Sequence, residues 1–316
     1  MEGVVFSFQW ETDLMARIQS VASPVLDSVM SAFTMLGEEM LMVAIMAYLI
    51  LCLDKKMGRD MAAGMIVSLL SGMILKNHFL RRRPYFDNPE IQCLRAPSGK
   101  GDIMNIAIQG YSFPSLHSSN AVVMFGTLFY WFRKKWVRAL CILFPLIIGF
   151  SRVYLGVHYP TDVLAGWLTG LLAFALMTMI LKRYSNWLII FLICTLLSIP
   201  GWLISHTSDF FSVFGLMTGM FLAFHFDDKV VRFTNIPNSL RSIIRLVCGL
   251  AIFIGLSKGL KIPFSKEFLA SDSLPAHLVC SARYAISAFA LMGLYPMLFK
   301  YTDRLLKKAP AATLSV

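Results

Sequence analysis

Apolar runs of about 17–20 residues recur along the chain, separated by short polar connections. Runs of that length suit helices that cross a bilayer, because every backbone polar group in hydrocarbon must be satisfied within its own segment. The pattern predicts nine spans, roughly 38–53, 60–80, 115–132, 137–155, 162–181, 186–204, 208–226, 241–257 and 282–300. The fold class is therefore all-α: a polytopic membrane helical bundle of about nine transmembrane helices. Ahead of the spans, Trp10, Leu14, Ile18 and Val21 recur at helical spacing on an otherwise polar segment. That spacing predicts a helix lying on the membrane surface. Residues 23–37 are half-polar and are expected to continue into the first span.

Composition agrees with this pattern. Of 316 residues, 57% are hydrophobic and 15% charged, and the formal net charge is +11. The excess cations fall in alternate connections: Lys55, Lys56 and Arg59; Arg133, Lys134, Lys135 and Arg138; Lys182 and Arg183; Lys229, Arg232 and Arg241; and Lys300, Arg304, Lys307 and Lys308. The positive-inside rule makes that face cytoplasmic, with the N-terminus outside and the C-terminus cytoplasmic. Two longer connections, near 81–113 and 258–281, then lie outside. The cations are scattered and form no basic stripe, so no nucleic-acid partner is expected. No cleavable signal peptide is predicted, since no basic region precedes an apolar core at the N-terminus. The six cysteines form neither a metal pattern nor a disulfide framework. Cys93 and Cys280 fall in outer connections, which leaves a bridge between them conceivable. No internal repeat stands out.

Against this apolar background, three blocks carry chemistry. They read Lys76-x6-Arg83-Pro84, Pro114-Ser115-Leu116-His117, and Ser151-Arg152-x5-His158-x3-Asp162. Lys76 closes an apolar run, where an ammonium is costly and marks function by default. Taken alone it also reads as a lysine snorkelling beside an anchoring Arg81-Arg82-Arg83 run. Pro114 and Ser115 open a helix whose first-turn N–H groups favour an anion, and His117 there can protonate a leaving oxygen. Arg152 offers a planar fork to phosphate oxygens. Pro160 suits a first turn, so Asp162 falls within bonding reach of the His158 ring. A carboxylate there sets the tautomer and makes the other ring nitrogen a competent nucleophile. Loop charge puts all these residues at helix ends on the outer face. All three blocks fall within the first six spans, so 1–204 reads as a catalytic core and 205–316 as an appended three-span bundle.

In order and spacing the three blocks resemble the signature of the type 2 phosphatidic acid phosphatase superfamily, which includes lipid phosphate phosphatases and glucose-6-phosphatases. The resemblance covers roughly 60–205. It implies that His158 is the nucleophile, Asp162 its orienting partner and His117 the general acid. It further implies that Lys76, Arg83, Arg152, Ser115 and the Leu116 N–H clamp the phosphoryl group. Neither metal nor cofactor is expected. One position departs from the pattern: Leu116 stands where the family usually has glycine.

The expected substrate is a lipid phosphate presented from the outer leaflet, such as a polyprenyl diphosphate, phosphatidic acid, phosphatidylglycerol phosphate or sphingoid phosphate. Tyr85, Phe86, Tyr111 and Phe113 either line its entrance or belong to an aromatic belt. Nine spans with an outward N-terminus also match the glucose-6-phosphatase branch, which keeps a sugar phosphate open. A lipid phosphotransferase using the same phosphohistidine is a further reading. A non-catalytic transporter or scaffold is the reading from another class, favoured by the extra spans and by Arg283 at the start of the last.

Overall fold

A computed structural model describes residues 3–97, 101–205, 207–235, 239–299 and 301. Within them the chain is helical, and the one β contact is an isolated bridge between Val4 and Arg81. Six helices are long and apolar enough to cross a membrane, at Lys55–Phe79, Lys135–Tyr154, Pro160–Arg183, Ser208–Val231, Leu240–Gly259 and Leu274–Leu298. They coincide with six of the nine predicted spans.

The other three predicted spans are shorter as helices. Residues 38–53 form Glu39–Tyr48, continued by a π turn at Leu49–Leu53. Residues 115–132 form Leu116–Trp131. A helix of that length rises about 24 Å, less than the roughly 30 Å of hydrocarbon. Residues 186–204 divide into Trp187–Leu197 and Ile199–Ile204, because Pro200 cannot continue the hydrogen-bond ladder of the first helix.

The longer helices are labelled α1 (Gln9–Gln19), α2 (Pro24–Met35), α3 (Glu39–Tyr48), α4 (Lys55–Phe79), α5 (Leu116–Trp131) and α6 (Lys135–Tyr154). They continue with α7 (Pro160–Arg183), α8 (Trp187–Leu197), α9 (Ser208–Phe226), α10 (Ser239–Gly259) and α11 (Leu274–Phe289). Local chemistry sets their ends. Asp54 caps α4 through the Met57 N–H, Ser115 caps α5 through the Ser118 N–H, and Pro160 opens α7. Leu80, left-handed at φ 50°, stops α4.

Helix α4 is the central pillar, buried along most of its length, with α5, α7 and α9 packed around it. Two glycine pairs bring helices close. A Cβ on Gly166 or Gly170 of α7 would lie 2.5 or 2.3 Å from the Ser115 or Ser119 carbonyl of α5. A Cβ on Gly215 or Gly219 of α9 would lie 2.1 or 2.2 Å from carbonyls of α11. Small residues four apart are the usual means of close helix approach in a membrane.

Some expectations change. Residues 23–37 do not run into the first span; they form α2, which ends in a turn before Gly37 and packs on α6. Cys93 and Cys280 are both free thiols, because Cys280 lies inside α11 and contacts Ser212 at 3.2 Å. The last helix begins at Leu274, so Arg283 lies well inside it and donates to the Ser257 carbonyl at 2.9 Å. The cations Lys300, Arg304, Lys307 and Lys308 lie outside the described residues.

Candidate active site

The three blocks converge. Lys76 sits in the last turn of α4, His117 in the first turn of α5, Arg152 in the last turn of α6 and Asp162 in the first turn of α7. Arg83 and His158 come from the connections between helices. The Ser115 N–H donates to the Asp162 carbonyl at 3.0 Å, which ties the second block to the third. This bond is possible because Gly166 lets α7 lie against Ser115.

Each cation is held by neutral groups. Arg83 Nε donates to the Gln109 and Gly110 carbonyls, each at 3.0 Å, and its Nη1 donates to the Val157 carbonyl at 2.9 Å. The same Nη1 lies 3.3 Å from His158 Nε2. Arg152 Nη1 donates to Thr34 Oγ1 at 2.6 Å, while its buried Nε has no partner. Lys76 donates to the Tyr111 carbonyl. Among the described residues, none of the three is ion-paired to a carboxylate. Three cations grouped in this way repel one another, and an anion between them would offset that cost.

His158 is almost fully buried. A guanidinium can only donate, so Nε2 is the acceptor and the ring proton sits on Nδ1. Nδ1 lies 3.5 Å from Asp162 Oδ2, an ion-pair approach slightly longer than a closed hydrogen bond. Burial, with the positive charges of Arg83, Arg152 and Lys76, holds His158 well below its ordinary value of 6.5. The imidazole is therefore neutral, with its Nε2 lone pair turned toward Arg83. His117 makes no hydrogen bond among the described residues, and Gly37 closes over its ring. Thus Gly37 leaves room where another side chain would press on His117.

Ser115 is fully buried, and its Oγ accepts from Ser118 Oγ at 2.9 Å and from the Ser118 N–H at 3.4 Å. Its hydroxyl therefore serves first as a helix cap. The Leu116 side chain points away from the site, into a notch on α4 where a Cβ on Gly72 would lie 2.2 Å from Leu116 Cδ2. Among the aromatics, Phe113 meets Phe79 at 4.8 Å and Phe6 at 6.4 Å between centroids. Tyr85 is buried with Tyr154, Leu155 and Val157, so it does not line an entrance.

Reading the blocks alone missed Arg81 and Glu11. In the sequence Arg81 reads as part of an anchoring run, yet it is buried and bonds both Asp162 and Glu11. A signal existed. The chain is extended after Leu80, so Arg81 and Arg83 share a side, while Arg82 faces out to Asp87 at 3.0 Å. No cluster of three or more potential metal ligands occurs among the described residues.

Residues 58–187, which hold all three blocks and Arg81, match the PAP2 superfamily, and residues 211–307 match the transmembrane extension of PAP2 superfamily phosphatases. The undecaprenyl-diphosphatase of Sulfolobus acidocaldarius is 29% identical over 151 residues, 46% of this chain and 66% of that one. The lipid A 4'-phosphatase of Bacteroides thetaiotaomicron is 28% identical over 171 residues, 51% of this chain and 72% of that one. The crystal structure of Aquifex aeolicus LpxE superposes with a TM-score of 0.48 at 22% identity, covering 55% of this chain and 97% of that one. With a superfamily core followed by that superfamily's own extension, the chain belongs to the PAP2 superfamily of membrane phosphatases.

Proposed function

We propose that the chain removes phosphate from a lipid phosphate, at the extracytoplasmic face, through a phosphohistidine on His158. One observation carries the reading: Arg83 donates to Nε2 of the His158 imidazole, and the positive charges of Arg152 and Lys76 act on the same ring, with none of the three cations paired to a carboxylate among the described residues. The cations hold the phosphoryl oxygens and neutralise the charge spread over them in the transition state. The Nε2 lone pair attacks phosphorus, a P–N bond forms, and the bond from phosphorus to the leaving oxygen breaks. His117, as the imidazolium once the substrate's phosphate offsets the three cations, gives that oxygen its proton. The imidazolium is balanced by Asp162 at Nδ1. Water then attacks phosphorus, its proton passes to His117, and the P–N bond breaks to release inorganic phosphate and neutral His158.

A lipid substrate is favoured by the names of the relatives, an undecaprenyl-diphosphatase and a lipid A phosphatase. A polyprenyl diphosphate is the leading candidate, with a lipid monophosphate next. The outward face follows from loop charge: the basic connections lie at the ends of α4, α5 and α7 opposite the site. In this reading nine segments cross, 1–204 form the core and 205–316 the appended bundle.

Phosphate release by purified protein in detergent, across a panel of lipid and sugar phosphates without divalent metal, tests the proposal. Wild type is expected to release phosphate from a lipid substrate and to trap acid-labile phosphate during turnover. His158→Ala is expected to do neither. Equal release by His158→Ala would sink the mechanism, and labelled phosphate appearing on an added lipid alcohol would make the enzyme a transferase.

A further inference from the structure

Arg81 stands two residues from Arg83 yet takes no part in the phosphate-facing cluster. Its guanidinium is 1% exposed. Nη1 donates to Asp162 Oδ1 and to Thr161 Oγ1, each at 2.7 Å, and Nη2 donates to Glu11 Oε2 at 2.7 Å. Nε donates to the Phe6 carbonyl at 2.8 Å. The group lies over the Tyr159 ring, 3.9 Å from its centroid. Glu11, fully buried on α1, also accepts from Thr161 Oγ1 at 2.6 Å, the Thr161 N–H at 3.1 Å and the Phe8 N–H at 3.1 Å.

One guanidinium thus bridges two buried carboxylates, one from the surface helix α1 and one from the first turn of α7. A single carboxylate would neutralise it, so the group of three carries a surplus negative charge. That surplus has one place to act. Asp162 Oδ1 is taken by Arg81, while Oδ2 accepts the Tyr159 N–H at 2.8 Å and faces His158 Nδ1 at 3.5 Å. The carboxylate is gripped at both oxygens and cannot rotate away from the imidazole. Arg83 lies on the other side of the ring, 3.3 Å from Nε2.

We infer that Arg81 is a positioning residue that sets Asp162 against His158, and that Glu11 of α1 holds Arg81 in place. This rests on the reading of His158 as the nucleophile. The N-terminal helix is then part of the working site. Arg81 touches no reacting atom, so its loss leaves phosphate binding intact while the imidazolium loses its partner. Its loss also strands two carboxylates beside each other, and removing one of them relieves the fault.

The test is steady-state hydrolysis of the lipid phosphate found by the panel, by full-length protein, in Arg81→Met, Arg81→Lys, Glu11→Gln and the Arg81→Met/Glu11→Gln double variant. Arg81→Met is expected to lower kcat about 100-fold, as misplacement of a catalytic group does. KM and inhibition by inorganic phosphate should stay within about twofold, since only transition-state stabilisation is removed. Arg81→Lys keeps the charge and should retain about a tenth of kcat, because it cannot span both carboxylates. Adding Glu11→Gln to Arg81→Met should recover about tenfold, since contacting residues are not additive. The inference falls if Arg81→Met keeps wild-type kcat, if phosphate inhibition is lost in parallel, or if the double variant is no better than the single. If Arg81→Met does not fold, wild-type kcat in Arg81→Lys overturns it. Absence of release by wild type, or release by His158→Ala, counts against the phosphohistidine itself and not against Arg81.

Discussion

His158 is an imidazole kept neutral by burial and by surrounding positive charge. Protonation would both cost desolvation and remove the Nε2 lone pair that the attack requires. The acid limb of kcat/KM, measured on a substrate whose own ionisation does not change there, is therefore expected below pH 6.5. The sign for stability is the same. The unfolded chain binds a proton at this residue near 6.5 that the folded chain refuses, so stability falls as pH drops below that value. An acid limb well above 6.5 would mean that another group controls the rate. The chemical types and spacing of Lys76, Arg83, His117, Arg152, His158 and Asp162 were readable because each is costly in an apolar chain. Arg81 was not, because a run of three arginines at a membrane edge has an ordinary explanation.

Helix packing answers the question that Leu116 raised. Its side chain fills a notch on α4 that exists only because residue 72 is glycine. Gly72→Leu should overpack this contact and destabilise the protein by about 1–3 kcal/mol, displacing the first turn of α5 and lowering activity. Leu116→Gly in the same chain should restore both the unfolding temperature in detergent and the rate. If Leu116→Gly gives no rescue, the notch is not what accommodates Leu116. Amphipathic spacing in α1 was visible in the sequence, but its orientation was not. Trp10 and Leu14 are 50% and 40% exposed, whereas Glu11 is fully buried. Periodicity gives a helix two faces; which one turns inward depends on a partner, here Arg81, from a distant segment.

Over the whole molecule, the core and the extension are joined at the end away from the site. Asp227 at the end of α9 pairs with Lys55 at 2.7 Å and with Arg59, and Asp228 pairs with Arg59 at 2.6 Å. Asp227→Asn takes the carboxylate from the partly exposed Lys55 and leaves buried Arg59 with Asp228 alone, and should cost about 1–3 kcal/mol in unfolding measurements. Wild-type stability in that variant would show that the union rests on apolar packing alone, through Phe210, Phe221 and Phe224. Membrane residence and an all-helical build followed from apolar run length, because hydrocarbon permits so few backbone solutions. The charged residues of the three blocks stood out as candidates, because a charge in such a chain needs a reason. The positions of Glu11, Thr34, Gly37 and Gly72 around that site did not follow. Each is an ordinary residue whose meaning comes from what lies across from it, and contacts between distant segments leave no local trace in either hydropathy or spacing.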